Sequence, residues 1–489
     1  MPAAIDSARR SSDAQDAAAL RLVPGTVVVA FLLTCGRWGS YFGLPSRAVY
    51  ITDVLLVGTV VWLLSQHRAW LRARWAVLRS GWRPLLPLGA LLAWCLLRLA
   101  AGGLPDRSGL RDVAPYLYAC VALFPFLAGR EVDWGRTSQV LRAALLAHLG
   151  WVTVSKYVGA LTASMPLLGG KVRIFEIRAD FDGAVLAITA GVFLARALVA
   201  FRSWQGALAA ACGVWSSLLV LQVANRAAVL ALIVVLGILF ADRRRSLLRL
   251  PRTVVLPSAA VLLVLALVLV PRTAIYGRLS GDAEFSGNAA SGTTDARVEA
   301  WTDVLRYMQS SPSRVVAGVG FGTDFLGASG GDERFEGTTF KDVRAPHNYV
   351  LNTYARLGLV GVGLLAWTLA ALAAAARQLL RRGRRVRDVD LLLVFTVGSL
   401  LVASLVGVIL ESPFGAVPFF WAVGALLVQR AGPEAPHKLT AKVVEELREP
   451  LDPRPGPPPE MRPAVPLVWT RLSPSTFVVT AGAPQRDND

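Results

Sequence analysis

Residues 344–361 read RAPHNYVLNTYARLGLVG. A Pro-His-Asn triplet opens an apolar run, in a chain that has only 4 histidines. An ionisable ring at the mouth of a hydrophobic helix is costly, so it is a site hypothesis by default. The backbone dipole at a helix amino end disfavours the imidazolium and leaves a neutral ring able to accept a proton. Amide groups at such an end also suit an anion. Helical spacing puts His347, Leu351, Tyr354, Gly358 and Gly361 on one face, where the two glycines would let a neighbouring helix pack closely. Asn348 is an accessory candidate. Read singly, His347 is equally a ring at an interface bonded to a loop carbonyl.

Arginines near the ends of other apolar runs supply a companion charge. Arg226 follows a turn in LQVANRAAVLAL, Arg178 stands in KVRIFEIRADFDG, and Arg297 opens DARVEAWTDVLRYMQSSP, with Arg278 upstream in the same loop. A guanidinium fork binds phosphate oxygens through two parallel hydrogen bonds. Several such forks on one side of a membrane would form a diphosphate cradle. Each arginine alone is also compatible with snorkelling or local pairing, as of Arg178 with Asp180 and Asp182. Glu411, in ESPFGAVP, is a further accessory candidate. GVGFG (318–322) follows no Rossmann-like strand and reads as a turn. Asp53 and Glu176 read as structural acids, and the four cysteines read as small buried residues rather than disulfides or ligands. No nucleophile triad or metal-ligand spacing is visible, so no metal or other cofactor is expected.

The elements that must position these residues are membrane helices. The 489-residue chain is 54% hydrophobic and 17% charged, too apolar for a soluble chain of this length. Twelve apolar runs of bilayer-spanning length lie near 22–44, 49–66, 84–101, 112–128, 138–158, 181–200, 205–222, 225–241, 253–271, 345–376, 389–411 and 413–430. The expected fold is therefore an all-α polytopic membrane protein with about twelve transmembrane helices. The net charge of +18 sits largely in arginine-rich loops such as 66–83, 242–252 and 377–387. The positive-inside rule places these in the cytoplasm, so nucleic acid is not an expected partner. Both termini are then cytoplasmic, and 272–344 is an external loop with 8 basic and 10 acidic residues. Within it Val298, Trp301, Leu305 and Met308 predict an amphipathic helix ended by Pro312. The predicted division is a polar tail at 1–21 without a cleavable signal, a membrane domain at 22–430, and a tail at 431–489. That tail holds 12 of the 28 prolines and reads as mostly disordered.

The string His-Asn, nine residues, Gly-x-x-Gly resembles the signature of the O-antigen ligase and Wzy-type polymerase family. The preceding ANRAAVLALIVV turn, ARVEAWTDVL helix and GVGFG turn follow in the same order, and the resemblance covers roughly residues 20–430. It implies a GT-C-like membrane glycosyltransferase acting at the outer face of the plasma membrane in cell-envelope polysaccharide assembly. Its donor would be a glycan on a polyprenyl diphosphate such as undecaprenyl diphosphate. Its acceptor would be a hydroxyl of a glycan, lipid or protein, with no metal or nucleotide sugar. Carried over, His347 takes the place of the motif histidine, as general base or as orienting group. Arg226, Arg297 and Arg178 take the diphosphate-binding positions, although Asn225 stands where the family often has serine. A Wzy-type polymerase shares the motif. A lipid-glycan flippase and a scaffold acting through the proline-rich tail are the readings from other classes.

Overall fold

Apolar runs at bilayer depth fold as helices because a helix satisfies every backbone N–H and C=O internally. The computed structural model describes residues 22–42, 50–65, 82–103, 106–128, 132–168, 172–223, 225–247, 291–335, 344–381, 388–430, 467–473 and 476–481. The chain divides into two units, Met1–Gly432 and Pro433–Asp489.

The first unit is helical. It begins with α1 (Thr26–Ser40), α2 (Ile51–Ser65) and α3 (Leu86–Ala101). Then α4 (Arg107–Leu117) runs through a 3-10 turn into α5 (Leu123–Ala128), followed by α6 (Trp134–Tyr157) and the short α7 (Gly159–Ser164). A minimal antiparallel ladder, β1 (Leu167–Leu168) with β2 (Val172–Arg173), leads to α8 (Ala179–Val199), α9 (Trp204–Val223) and α10 (Arg226–Leu247). Next come α11 (Ser291–Gln309), α12 (Pro312–Ala317) and α13 (Phe325–Ala328), and the unit closes with α14 (Tyr349–Leu380), α15 (Asp388–Ser404) and α16 (Pro413–Arg430). Among the described residues, five stretches are long and apolar enough to cross a membrane: Arg83–Ala101, Arg107–Ala128, α8, α9 and α14. Helices α1 and α2 are apolar but shorter. The run at 253–271, Arg278, the 1–21 tail and the whole of 431–466 lie outside the described residues.

Helix α8 is the packing centre. Its side chains from Phe181 to Ile188 are buried. A Cβ added at Gly183 or Gly191 would come within 2.3 Å of Ala228 or Val235 of α10, so these glycines set the close approach of the two helices. Ser399 of α15 donates to the Ala184 carbonyl at 2.8 Å. The α8 and α10 amino ends, which carry Arg178 and Arg226, are thereby held in a fixed relation.

Two helices are broken by glycines at conformations closed to L-residues. Gly36 in α1 has φ 60, ψ −142, and Gly358 in α14 has φ 67, ψ −166. This corrects the single continuous face expected over His347–Gly361. Gly358 does approach another segment, but that segment is α12: a Cβ there would lie 2.2 Å from the Val316 carbonyl oxygen. A Cβ on Gly361 would meet Leu357 of its own helix. The break frees backbone carbonyls, and each of three finds a donor. Val319 N–H donates to Ala355 O at 2.8 Å and Gly320 N–H to Arg356 O at 3.0 Å. Trp94 Nε1 donates to Leu357 O at 3.0 Å. The GVGFG segment is a turn, as its composition predicts, and it closes the α14 break.

The amphipathic helix forms as α11, but its packed face is rotated from the expected one. Ala300, Val304 and Met308 are buried with Phe325, Leu326, Leu351 and Ala355, whereas Val298 and Leu305 are exposed. The small Ala300 carries no hydrophobic signal, yet it permits the contact.

In the second unit, β3 (Leu467–Ser473) pairs antiparallel with β4 (Thr476–Ala481), from Leu467 opposite Ala481 to Ser473 opposite Thr476. This hairpin is not anticipated by the proline count. Its β-branched TFVVT run suits a strand.

Candidate functional site

Four helix amino ends are linked through their side chains: α8 after Arg178 and α16 at Pro413 through Arg178 over Phe414, α14 after Asn348 through His347 in the fields of Arg178 and Arg297, and α10 at Arg226 through Arg297. Each contributes the positive end of a helix dipole, a setting that favours an anion.

Arg178 is the N-cap residue of α8. Its Nε and a terminal amino group donate to Asp180 at 2.7 and 3.2 Å, and its guanidinium lies 5.0 Å from the Phe414 ring centroid of α16. The local pairing weighed from the sequence is therefore present. Asp180 also accepts from Phe181 N–H at 2.8 Å, and Gly407 faces it from the α15–α16 turn. Arg297 extends from α11 to the Val406 carbonyl of that same turn, at 3.4 Å. Burial lowers its pKa, Asp180 opposes this, and the neighbouring Arg226 adds to the lowering. Arg226 is exposed at the first turn of α10, behind an Asn225 cap that accepts from Ala227 and Ala228 N–H at 2.8 and 3.3 Å.

His347 lies two residues before α14 and is 8% exposed, with φ 53. A non-glycine residue in this region carries strain of roughly 1–2 kcal/mol, which the surroundings must impose. One constraint is Trp301, whose indole donates to the Pro346 carbonyl. Trp301 is one helical turn from Arg297, so the same helix that carries the arginine holds the histidine segment. Burial pushes the His347 pKa down to about 4, the Arg297 and Arg178 charges push the same way, and Asp180 opposes them. The ring is neutral at pH 7. Asn348 is the α14 N-cap, its Oδ1 accepting from Leu351 N–H at 3.0 Å, so its accessory role is structural.

A second charged group lies nearby, one that the sequence alone does not single out. Arg356 is 2% exposed, forms an ion pair with Asp112 at 2.9 Å, and donates to Gly320 O at 3.3 Å and to Thr323 O at 3.4 Å. Its guanidinium also stacks on Phe325 at 5.0 Å. Asp112 accepts from Gly322 N–H at 3.1 Å, and Arg344 lies 3.8 Å from both Asp112 and Asp324. The available signal is an arginine well inside an apolar helix. Glu411 lies within the fields of both groups. Burial raises its pKa to about 7, with Arg356 opposing and Asp112 adding. Its Oε1 has no hydrogen-bond partner among the described residues. Among those residues no three His, Cys, Asp or Glu side chains converge as metal ligands.

Thus Arg178, Asp180, Arg297 and His347 are linked by contact or field, and Arg226 joins them through Arg297. Such a group can bind a polyanion and take up a proton beside it. Residues 211–366 match the family model described as O-antigen ligase. The match includes Arg226, Arg297, His347 and Arg356, and it excludes Arg178, Asp112 and Glu411. No curated protein matches the chain.

Proposed function

We propose that this chain, a membrane protein whose residues 211–366 match the O-antigen ligase family model, transfers a glycan from a polyprenyl-diphosphate donor to an acceptor hydroxyl at the outer face of the membrane. The acceptor oxygen attacks the anomeric carbon. The bond from that carbon to the diphosphate oxygen breaks, and the electron pair leaves with the diphosphate. Arg226 and Arg297 neutralise the charge developing there, while Arg178 is held in place by Asp180. The hydroxyl proton passes to His347, whose neutral ring is a ready acceptor at pH 7. The single observation that carries this reading is a neutral, strained histidine within the fields of the Arg297 and Arg178 guanidinium groups, at the amino end of α14.

The test is transfer in vitro with a lipid-diphosphate glycan donor and a labelled acceptor. Wild type is expected to release polyprenyl diphosphate and label the acceptor. His347→Ala and Arg226→Ala, at normal folded yield, are expected to lose turnover. Near-normal turnover in both would remove the assignment. His347→Gln separates the two roles of the ring, since an amide can orient a hydroxyl but cannot take its proton. Ladders built on the donor lipid, with no labelled acceptor, would mark a polymerase instead.

A further inference from the structure

Behind the arginine group lies a buried pair that the transfer chemistry does not use. His148 of α6 and Asp182 of α8 are both fully buried. His148 Nε2 faces Asp182 Oδ1 at 3.9 Å, and neither atom has a hydrogen-bond partner among the described residues. The other carboxylate oxygen, Oδ2, accepts the backbone N–H of Arg178 at 2.6 Å. On its far side His148 is anchored through Nδ1 to the Thr34 carbonyl at 3.2 Å, and that carbonyl also accepts from Trp151 Nε1. The α1 break makes room for this arrangement, since a Cβ on Gly36 would lie 2.5 Å from Asp182 Oδ1. Three helices thus converge on one carboxylate.

A buried carboxylate at this depth is expensive, and a simple helix cap does not require one; serine or asparagine serves at a lower cost. What Asp182 adds is a grip on the one backbone group that aims Arg178. With that N–H held, the Arg178 side chain leaves α8 toward Asp180 and over Phe414. We propose that Asp182, backed by His148 and admitted by the Gly36 break, is a positioning residue that fixes Arg178 in the cradle. The consequence for diphosphate binding rests on the function proposed above; the consequence for the Arg178 backbone does not.

The experiment therefore has two readouts on the full-length protein in detergent. The first is amide hydrogen exchange over residues 176–181. Asp182→Ala is expected to speed exchange there by roughly tenfold, the scale of a lost cap. Asp182→Asn keeps an acceptor oxygen and is expected to stay within about twofold of wild type. The control is Asp133→Ala, which removes the α6 cap that accepts Arg136 N–H at 2.8 Å; it should leave 176–181 unchanged. The second readout is the Kd for polyprenyl diphosphate, expected to weaken by about tenfold in Asp182→Ala and to recover in Asp182→Asn. If Asp182→Ala does not fold, Asp182→Leu, close to aspartate in shape but without an acceptor oxygen, replaces it. Unchanged exchange at 176–181 in the folded variant overturns the proposal. Faster exchange with an unchanged Kd would overturn the link to the cradle. A wild type that does not prefer the diphosphate to the bare polyprenol would sink the functional reading and leave the exchange result to decide this one.

Discussion

Two clusters of arginine at the same end of the molecule look alike in sequence and differ in physics. The named side chains of one are Arg178, Arg226 and Arg297 with Asp180 and Asp182, three cations to two carboxyl groups. Those of the other are Arg356, Arg344, Asp112 and Asp324, two of each. Arg356 is held by a carboxylate, two carbonyls and a ring. It is a structural bolt between α14, α4 and the 318–324 turn. The first cluster faces a neutral histidine, is linked to helix amino ends, and concentrates positive charge. A buried arginine is therefore a clue to function only after its partners are counted.

The largest expected effect sharpens that contrast. His347→Ala should cut turnover by roughly 10²–10⁴-fold and Arg297→Ala by roughly 10²–10³-fold, each with normal folded yield. Arg297→Lys should not restore activity, because the ammonium lacks the fork. Steady-state transfer alongside detergent size-exclusion profiles separates activity from folding. Acidification is expected to silence wild type as pH falls toward about 4, where His347 takes up a proton. Activity retained in both alanine variants would dissolve the distinction between the clusters.

Next in size is the structural cluster. Arg356→Ala strands Asp112 and should cost about 3–5 kcal/mol of stability, read as a collapse in melting temperature before any kinetic change. Adding Asp112→Asn should recover part of the loss, because no lone buried carboxylate remains. A folded Arg356→Ala protein with impaired turnover alone would move Arg356 into the reactive group.

Sequence and structure agree where hydrophobicity carries the signal and part where geometry does. The apolar runs, the α11 helix and the arginine-histidine set are legible because charge at bilayer depth stands out against Leu, Val and Ala. Arg356 is equally visible, but its meaning depends on Asp112, which lies far away along the chain. The rotated face of α11 is hidden by Ala300, a residue too small to register as apolar. Gly358 reads as a packing residue because sequence distinguishes poorly between a glycine that lacks a side chain for contact and one that needs a positive φ. The His148–Asp182 pair is missed for a similar reason: each stands in its own apolar run, and sequence does not join them until the Gly36 break brings α1 against Asp182.

Glu411 lies between the clusters, so its titration reports on both. Its pKa is raised from 4.5 to about 7, chiefly by burial. Between those values the unfolded chain gives up the proton while the folded protein keeps it. Stability should therefore fall as pH rises from about 4.5 and level off above about 7, by about 2–3 kcal/mol. Glu411→Gln has no proton to lose. Its melting temperature should match wild type near pH 4.5 and exceed it at pH 8. Parallel melting curves across that range would show that Glu411 is solvated rather than enclosed by the two clusters.

The smallest effect expected is at the α14 break, and it is best read against a glycine of the same helix. Gly358→Ala forces a Cβ into a backbone region reserved for glycine, 2.2 Å from the Val316 carbonyl oxygen. The loss should be about 1–3 kcal/mol. Gly363 is exposed, and a Cβ added there would meet nothing within 4 Å, so Gly363→Ala should stabilise the helix by up to about 1 kcal/mol. Opposite signs from one substitution five residues apart would separate a required break from a merely tolerated glycine. The break also has a partner on each side: the 318–320 turn takes the Ala355 and Arg356 carbonyls, and Trp94 takes that of Leu357. If Gly358→Ala straightened α14, those carbonyls would return to the helix and the turn would lose its donors' targets. Arg356 would then lose the carbonyls of Gly320 and Thr323, so the mild lesion at Gly358 should share the thermal signature of Arg356→Ala and leave His347-dependent turnover near wild type at permissive temperature. A Gly358→Ala protein of normal melting temperature but low turnover would mean that the break serves the reactive cluster instead.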